Sequence, residues 1–304
     1  MSNSIFGRCL YPPMTCKEAP IRAHTIQNSK VLDKIVDKGH VVGLVRRINK
    51  ETGPILEFKN IGRNEASTFT GLCSTHDQRL FGPIDNNALD PENKEQLFLL
   101  VYRAILRELH ATMDGAVKLQ SSYQKRIELG LAPGDRPCPE GMLAIERIMV
   151  SYETNLYKTM FDESLIKGTF DCVEHKVIIL NDQRPTVAAS ALFSLDKVRI
   201  DDDVVRVALN IIPASENQTI VVFSFHKRDA RLAKNELNYI FNAHDYYQKY
   251  EISRALINYC ENYYVSPRYF SEWSEEKKDE IKDYYESTIL RNDLDYQNEN
   301  LYLF

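Results

Sequence analysis

The chain has 304 residues, 43% of them hydrophobic, and a formal charge of −5, enough length for a sizeable core beside a smaller module. No apolar run approaches the roughly 20 residues of a membrane span, and the start MSNSIFGRCLYPP has no hydrophobic signal region; a cytoplasmic protein with no membrane partner is expected. The acidic balance excludes wholesale coating of nucleic acid, which depends on Lys and Arg releasing counterions from phosphate.

The average hides an asymmetry. Residues 1–85 carry twelve Lys/Arg against eight Asp/Glu, so the beginning of the chain is basic and the remainder strongly acidic. Cys9, Cys16 and Cys73, three of the six cysteines, fall in that basic part. Without a secretion signal, six cysteines point to metal binding or plain thiols rather than to three disulfides.

In chain order, SKVLDKIVDK predicts a short amphipathic helix, with Leu32, Ile35 and Val36 on one face and Gly39 as its stop. HVVGLVRRI and PILEFKN predict two strands joined through the turn-forming residues 49–53. STFTGLCSTHDQRLFGPI reads as strand, knuckle and short helix, closed by Pro83. A long helix follows from Asp90 and Pro91, GLAPGDRPCPEG breaks it, and MLAIERIMVSYETNLYKTMF predicts a second helix packed against the first as a hairpin. Between Thr169 and His226 four β-branched runs predict an antiparallel sheet, and helices, Tyr-rich in NYIFNAHDYYQKY and YCENYYVSPRYFSEW, complete the chain. The fold class expected is α+β, with a zinc module over residues 1–88 and an α+β body over 89–304.

The chemistry concentrates in the module. Zinc takes four soft or borderline donors in a tetrahedron, commonly two from a knuckle and two from the first turn of a later helix. Cys9 and Cys16 flank LYPPMT, whose two prolines force a bend, and Cys73 and His76 stand three apart at a helix start. These four are the predicted zinc ligands. Cys172 and His175 repeat the spacing inside a predicted strand, where alternate side chains diverge, and are not counted.

The order C-x6-C, IRAHTIQ, GLCSTHD resembles the treble-clef zinc finger of HNH-type nucleases that carry a structural zinc. The resemblance covers about the first 80 residues. It implies His24 as the general base and Asp77 as ligand of a catalytic Mg2+ or Mn2+, with nucleic acid as substrate. The family's middle asparagine has no counterpart beside Cys73, where Phe69 and Thr70 stand, and Asn60 or Asn64 would fill that role by a folded-back loop. Arg103 and His110 have the R-x6-H spacing of HEPN-type ribonucleases, and ENYYVSPRYFSEW resembles an ending found in uncharacterised bacterial proteins.

Two functional classes follow. In one, an HNH-like module contacts and cuts nucleic acid, a role that fits bacterial defence, while the C-terminal body senses or docks a protein partner. In the other, a non-catalytic zinc-finger adaptor shapes a protein-binding surface. No GxxxxGK[ST], GxGxxG or GxSxG loop is present, which sets aside nucleotide-driven motors, dinucleotide oxidoreductases and serine hydrolases of those types.

Overall fold

A computed structural model describes residues 5–49, 53–181, 184–200, 203–291 and 298–304. The turn between the first two predicted strands, at residues 50–52, and part of the acidic Tyr-rich C-terminus, at 292–297, lie outside the described residues.

The module contributes strands β1 (Ile21–His24), β2 (His40–Asn49), β3 (Gly53–Gly62) and β4 (Thr68–Leu72), then helix α1 (Ser74–Asp85). β1 and β4 form a two-stranded antiparallel ribbon in which His24 faces Thr68. The helix expected over residues 29–38 shrinks to a 3-10 turn at Leu32–Lys34. So short a segment gains little from helix propagation. It is fixed by burial of Leu32 and Ile35 against Val41, Ala66 and Ala188, and Gly39, at φ 79°, reverses the chain into β2.

The predicted helical hairpin is α2 (Lys94–Glu128) and α3 (Pro139–Lys167). Asn93 caps α2 by accepting from the Gln96 amide at 3.1 Å; Gly168 ends α3 in the left-handed conformation at φ 65°. The four β-branched runs become β5 (Val173–Leu180), β6 (Val187–Ile200), β7 (Asp203–Ser215) and β8 (Gln218–His226). The C-terminal elements are α4 (Ala230–Glu236), α5 (Asn238–Phe241), α6 (Asp245–Tyr259), β9 (Tyr263–Val265), α7 (Pro267–Phe270) and α8 (Glu275–Arg291).

Seven strands make one sheet, ordered β3-β2-β9-β6-β7-β8-β5, with every pairing among the described residues antiparallel. Strand alternation splits its side chains between two cores. Phe193, Leu209, Ile211 and Phe223 meet Ile252, Leu256 and Tyr284 of the C-terminal helices. Leu192 and Ala208 point the other way, into a core made by Cys9, Leu10, Cys73 and Phe81 of the module with Phe98, Tyr102 and Ile105 of α2 and Phe161 of α3. The result is a three-layer α+β arrangement with the cysteine-rich module beside the hairpin.

The segment YCENYYVSPRYFSEW, expected as helix, is largely something else. Its centre is strand β9, wedged between β2 and β6, with Val265 opposite both Val42 and Val187. Three residues are too few for a periodic signal, and both partners are far away in sequence. Asn262, wholly buried, donates to Ser67 Oγ at 3.1 Å and to the Ser190 carbonyl at 2.8 Å. The Ser67 amide donates to Tyr264 Oη at 2.6 Å. The motif is a clamp between the module and the sheet that pairs Asn262 and Tyr264, while the buried Tyr263 hydroxyl and Trp273 indole nitrogen have no hydrogen-bond partner among the described residues.

Candidate metal centre

Each half of the ligand set is built by a local device. After Leu10, whose amide donates to the Gly71 carbonyl at 2.8 Å, the chain turns through Tyr11–Met14, with a cis Pro12–Pro13 peptide and Met14 at φ 64°, and returns to place Cys16. On the other side β4 delivers Cys73 as the N-cap of α1, and His76 lies in its first turn. Gly71 is required here because a Cβ would collide with the ring of Phe69.

The donors converge. Cys9 Sγ lies 3.4 Å from His76 Nδ1, Cys73 Sγ 3.2 Å from the same nitrogen, and Cys16 Sγ 3.9 Å from Cys73 Sγ. All four ligand atoms fall within 4.8 Å of one another. Zinc bonds of about 2.3 Å to sulfur and about 2.0 Å to nitrogen at tetrahedral angles place neighbouring donors roughly 3.5–3.8 Å apart. The observed separations bracket that range, and three thiols with one imidazole nitrogen are a donor set suited to a borderline-soft dication such as zinc.

The surroundings suit the charge. Cys9 and Cys73 are buried while Cys16 and His76 are partly exposed. The Cys73 amide donates to Cys9 Sγ at 3.4 Å, a hydrogen bond that favours the Cys9 thiolate. Burial pushes the Cys9 thiol up from its ordinary value, so a cation is what would hold it as thiolate. Tyr11 stacks on the His76 ring, centroids 4.0 Å apart and 1° from parallel, fixing the imidazole plane. Three thiolates around a dication leave one net negative charge. Lys158, wholly buried on α3 and bonded to Asp162 at 2.6 and 2.8 Å, lies within electrostatic reach of Cys9. Among the described residues this is the one group of three or more His, Cys, Asp or Glu donors able to share an ion.

His24 and Asp77 lie elsewhere on the module. His24 ends β1, with Nε2 3.4 Å from the Arg63 carbonyl. Burial lowers its pKa, the Arg63 carbonyl raises it, and the charges of Arg103 and Arg22 lower it further; it is therefore a neutral imidazole at pH 7. Asp77, one residue past the ligand His76, has its carboxyl raised by burial and by the Asp85 charge against the pull of Arg103. Both residues thus feel one ion pair, Arg103–Asp85. Arg103, 3% exposed, donates twice to Asp85, at 2.9 and 2.6 Å, and its guanidinium lies 4.0 Å from the Phe81 ring centroid.

That pair was not foreseen from sequence as part of this neighbourhood. Arg103 stood out only for its spacing to His110, and the structure gives those two residues separate partners: His110 Nε2 meets Thr70 Oγ1 at 2.8 Å. Asn60 is held in β3 opposite Val42. Asn64 accepts from Asn28 Nδ2 at 2.9 Å, next to the Arg63 carbonyl that meets His24. His175 bonds Ser224 Oγ at 2.8 Å across the sheet, and among the described residues it belongs to no group of three or more metal-ligating side chains. No helix among the described residues is long and apolar enough to cross a membrane. Comparison of the chain with family models, curated proteins and solved structures found no match.

Proposed function

We propose that the module is a zinc-stabilised element that binds nucleic acid in the basic beginning of the chain and hydrolyses it through His24 and Asp77. The observation that carries the reading is that His24 and Asp77 both lie within electrostatic reach of the Arg103–Asp85 ion pair, on the β1–β4–α1 unit that also supplies Cys73 and His76 to the four-donor cluster. The succession knuckle, ribbon, helix resembles an HNH-like treble clef. Neutral His24 is able to take a proton from water at pH 7. Mg2+ or Mn2+ commonly binds through one or two carboxylates together with substrate phosphate oxygens and water, a role for Asp77 once substrate is present. Zinc with four protein ligands has no open position, so the second ion is needed for chemistry.

The test is cleavage of single- and double-stranded DNA and RNA with zinc alone and with added Mg2+ or Mn2+. Cutting should need the added ion, and His24→Ala should lower the rate by about 10^2 to 10^4-fold. Salt-dependent binding with no cutting under any ion would replace this reading with recognition alone. Absence of both binding and cutting would favour the adaptor reading. That second reading has its own support, since Asp85 is already occupied by Arg103 at two short distances and contributes little to a metal site in that state.

A further inference from the structure

Helix α3 is apolar on two opposite faces. Ala144, Tyr157 and Phe161 are buried on the side that packs within the hairpin and against the sheet. Met142, Ile145, Met149, Tyr152 and Leu156 lie on the other side, each between 46% and 55% exposed. Their spacing of three and four residues is that of a helix seam meant to meet another helix. Ile148, three residues from Ile145 and four from Tyr152, widens the stripe at 42% exposure. A helix with apolar residues all round belongs in a packed interior, yet among the described residues nothing of this chain covers that face.

We infer that the covering surface is a second copy of this chain, which docks α3 on α3 across a two-fold axis to make a four-helix bundle from two hairpins. Two features select that occupant. The stripe runs about 21 Å along the helix, fourteen steps from Met142 to Leu156 at a rise of about 1.5 Å. Six side chains of this size at half exposure leave roughly 600 Å² of apolar surface per copy, the upper end of what a lone monomer presents. A two-fold contact that covers both stripes buries roughly 1,200 Å², enough for a specific dimer. Repeating knobs of Met, Ile, Tyr and Leu along one seam also fit a second identical seam, the self-complementarity that a two-fold interface requires. The inference is independent of the nuclease reading, since none of these residues belongs to the metal cluster or to the surroundings of His24.

The experiment is the solution mass of the full zinc-loaded chain by light scattering and sedimentation. Wild-type protein should run at twice its 35.2 kDa chain mass at concentrations well above about micromolar. An Ile145→Glu, Met149→Glu double variant should be monomeric, its dissociation constant raised by roughly 100-fold or more because burying unpaired carboxylates in an apolar seam is costly. Both side chains are half exposed in one copy, so circular dichroism and zinc content should not change; Leu156→Lys supplies a second, independently placed charge. A wild-type monomer at high concentration, or a dimer that survives both variants, overturns the proposal. So does flotation of a wild-type monomer with phosphatidylcholine–phosphatidylglycerol vesicles that the charged variants abolish, which would assign the stripe to a lipid surface.

Discussion

The two sides of helix α1 differ in what their residues are free to do. On one side Cys73 and His76 meet Cys9 and Cys16 in a set whose members all face one another, so an ion held there has no open position for substrate. On the other side Asp77 and Asp85 lie among His24 and Arg103, and the charges of the Arg103–Asp85 pair act on both His24 and Asp77. Within one short helix, the residues able to hold an ion are thus separate from those to which the proposed chemistry is assigned. Loss of the first should collapse the module, whereas loss of the second should leave a folded protein with altered activity.

The largest expected effect breaks the first side. Cys73→Ser should abolish the expected content of about one zinc per chain and destabilise the module by several kcal/mol, since structural zinc binding is folding free energy; elemental analysis and thermal melting measure both. Unchanged zinc and melting would remove the cluster from the account.

Next in size is the fragment 89–304. The buried residues of the sheet–helix core all come from residue 178 onward. The fragment should therefore keep a cooperative transition, at a lower midpoint because β2, β3 and seven of the twenty buried residues of the second core are gone. Loss of cooperativity would make residues 1–304 a single folding unit, in keeping with the Ser67–Asn262–Ser190 clamp.

Asp85→Ala leaves Arg103 buried without its carboxylate. A buried ion pair broken on one side costs about 3–5 kcal/mol. Asp85 is one-third exposed, so solvent screening reduces the expected loss to about 2–3 kcal/mol. Denaturant unfolding of Asp85→Ala beside the Arg103→Met, Asp85→Leu double variant separates the orphaned charge from the pair itself. The double variant should recover much of the loss.

His24→Ala should change stability by less than about 1 kcal/mol, because its one protein hydrogen bond is long at 3.4 Å. A larger loss would make His24 a structural residue of the ribbon.

The last effect, close to zero at neutral pH, is a control outside the module. Burial lowers His175 from 6.5 to about 4, so the folded protein keeps it neutral where the unfolded chain takes up a proton. Its contribution to stability is complete above pH 6.5, declines as pH falls and is lost by about pH 4. His175→Gln should flatten the pH dependence of melting across that window without altering zinc content.

Much of this was written in local pattern. The ligand pairs were legible because zinc draws both members of a pair from short stretches with constrained backbone, a proline-bent knuckle and a helix N-terminus. The hairpin of α2 and α3 and the four strands β5 to β8 were legible from periodicity, which needs only ten or so residues to declare itself. By contrast the helix expected near Leu32 failed because its apolar positions were real but its length was short, and burial against Val41 and Ala188 decided its conformation.

By itself the sequence determined element types wherever a repeat ran long enough, together with the chemistry of four convergent ligands. Only the tertiary structure decided that three residues at 263–265 become a central strand, that Asp85 meets Arg103, and that α3 keeps an apolar face outward. Each depends on contacts between segments far apart along the chain, from the 18 residues between Asp85 and Arg103 to the 195 between Ser67 and Asn262. Such partners leave no mark in local composition, because the free energy that selects them arises only when both surfaces are desolvated together.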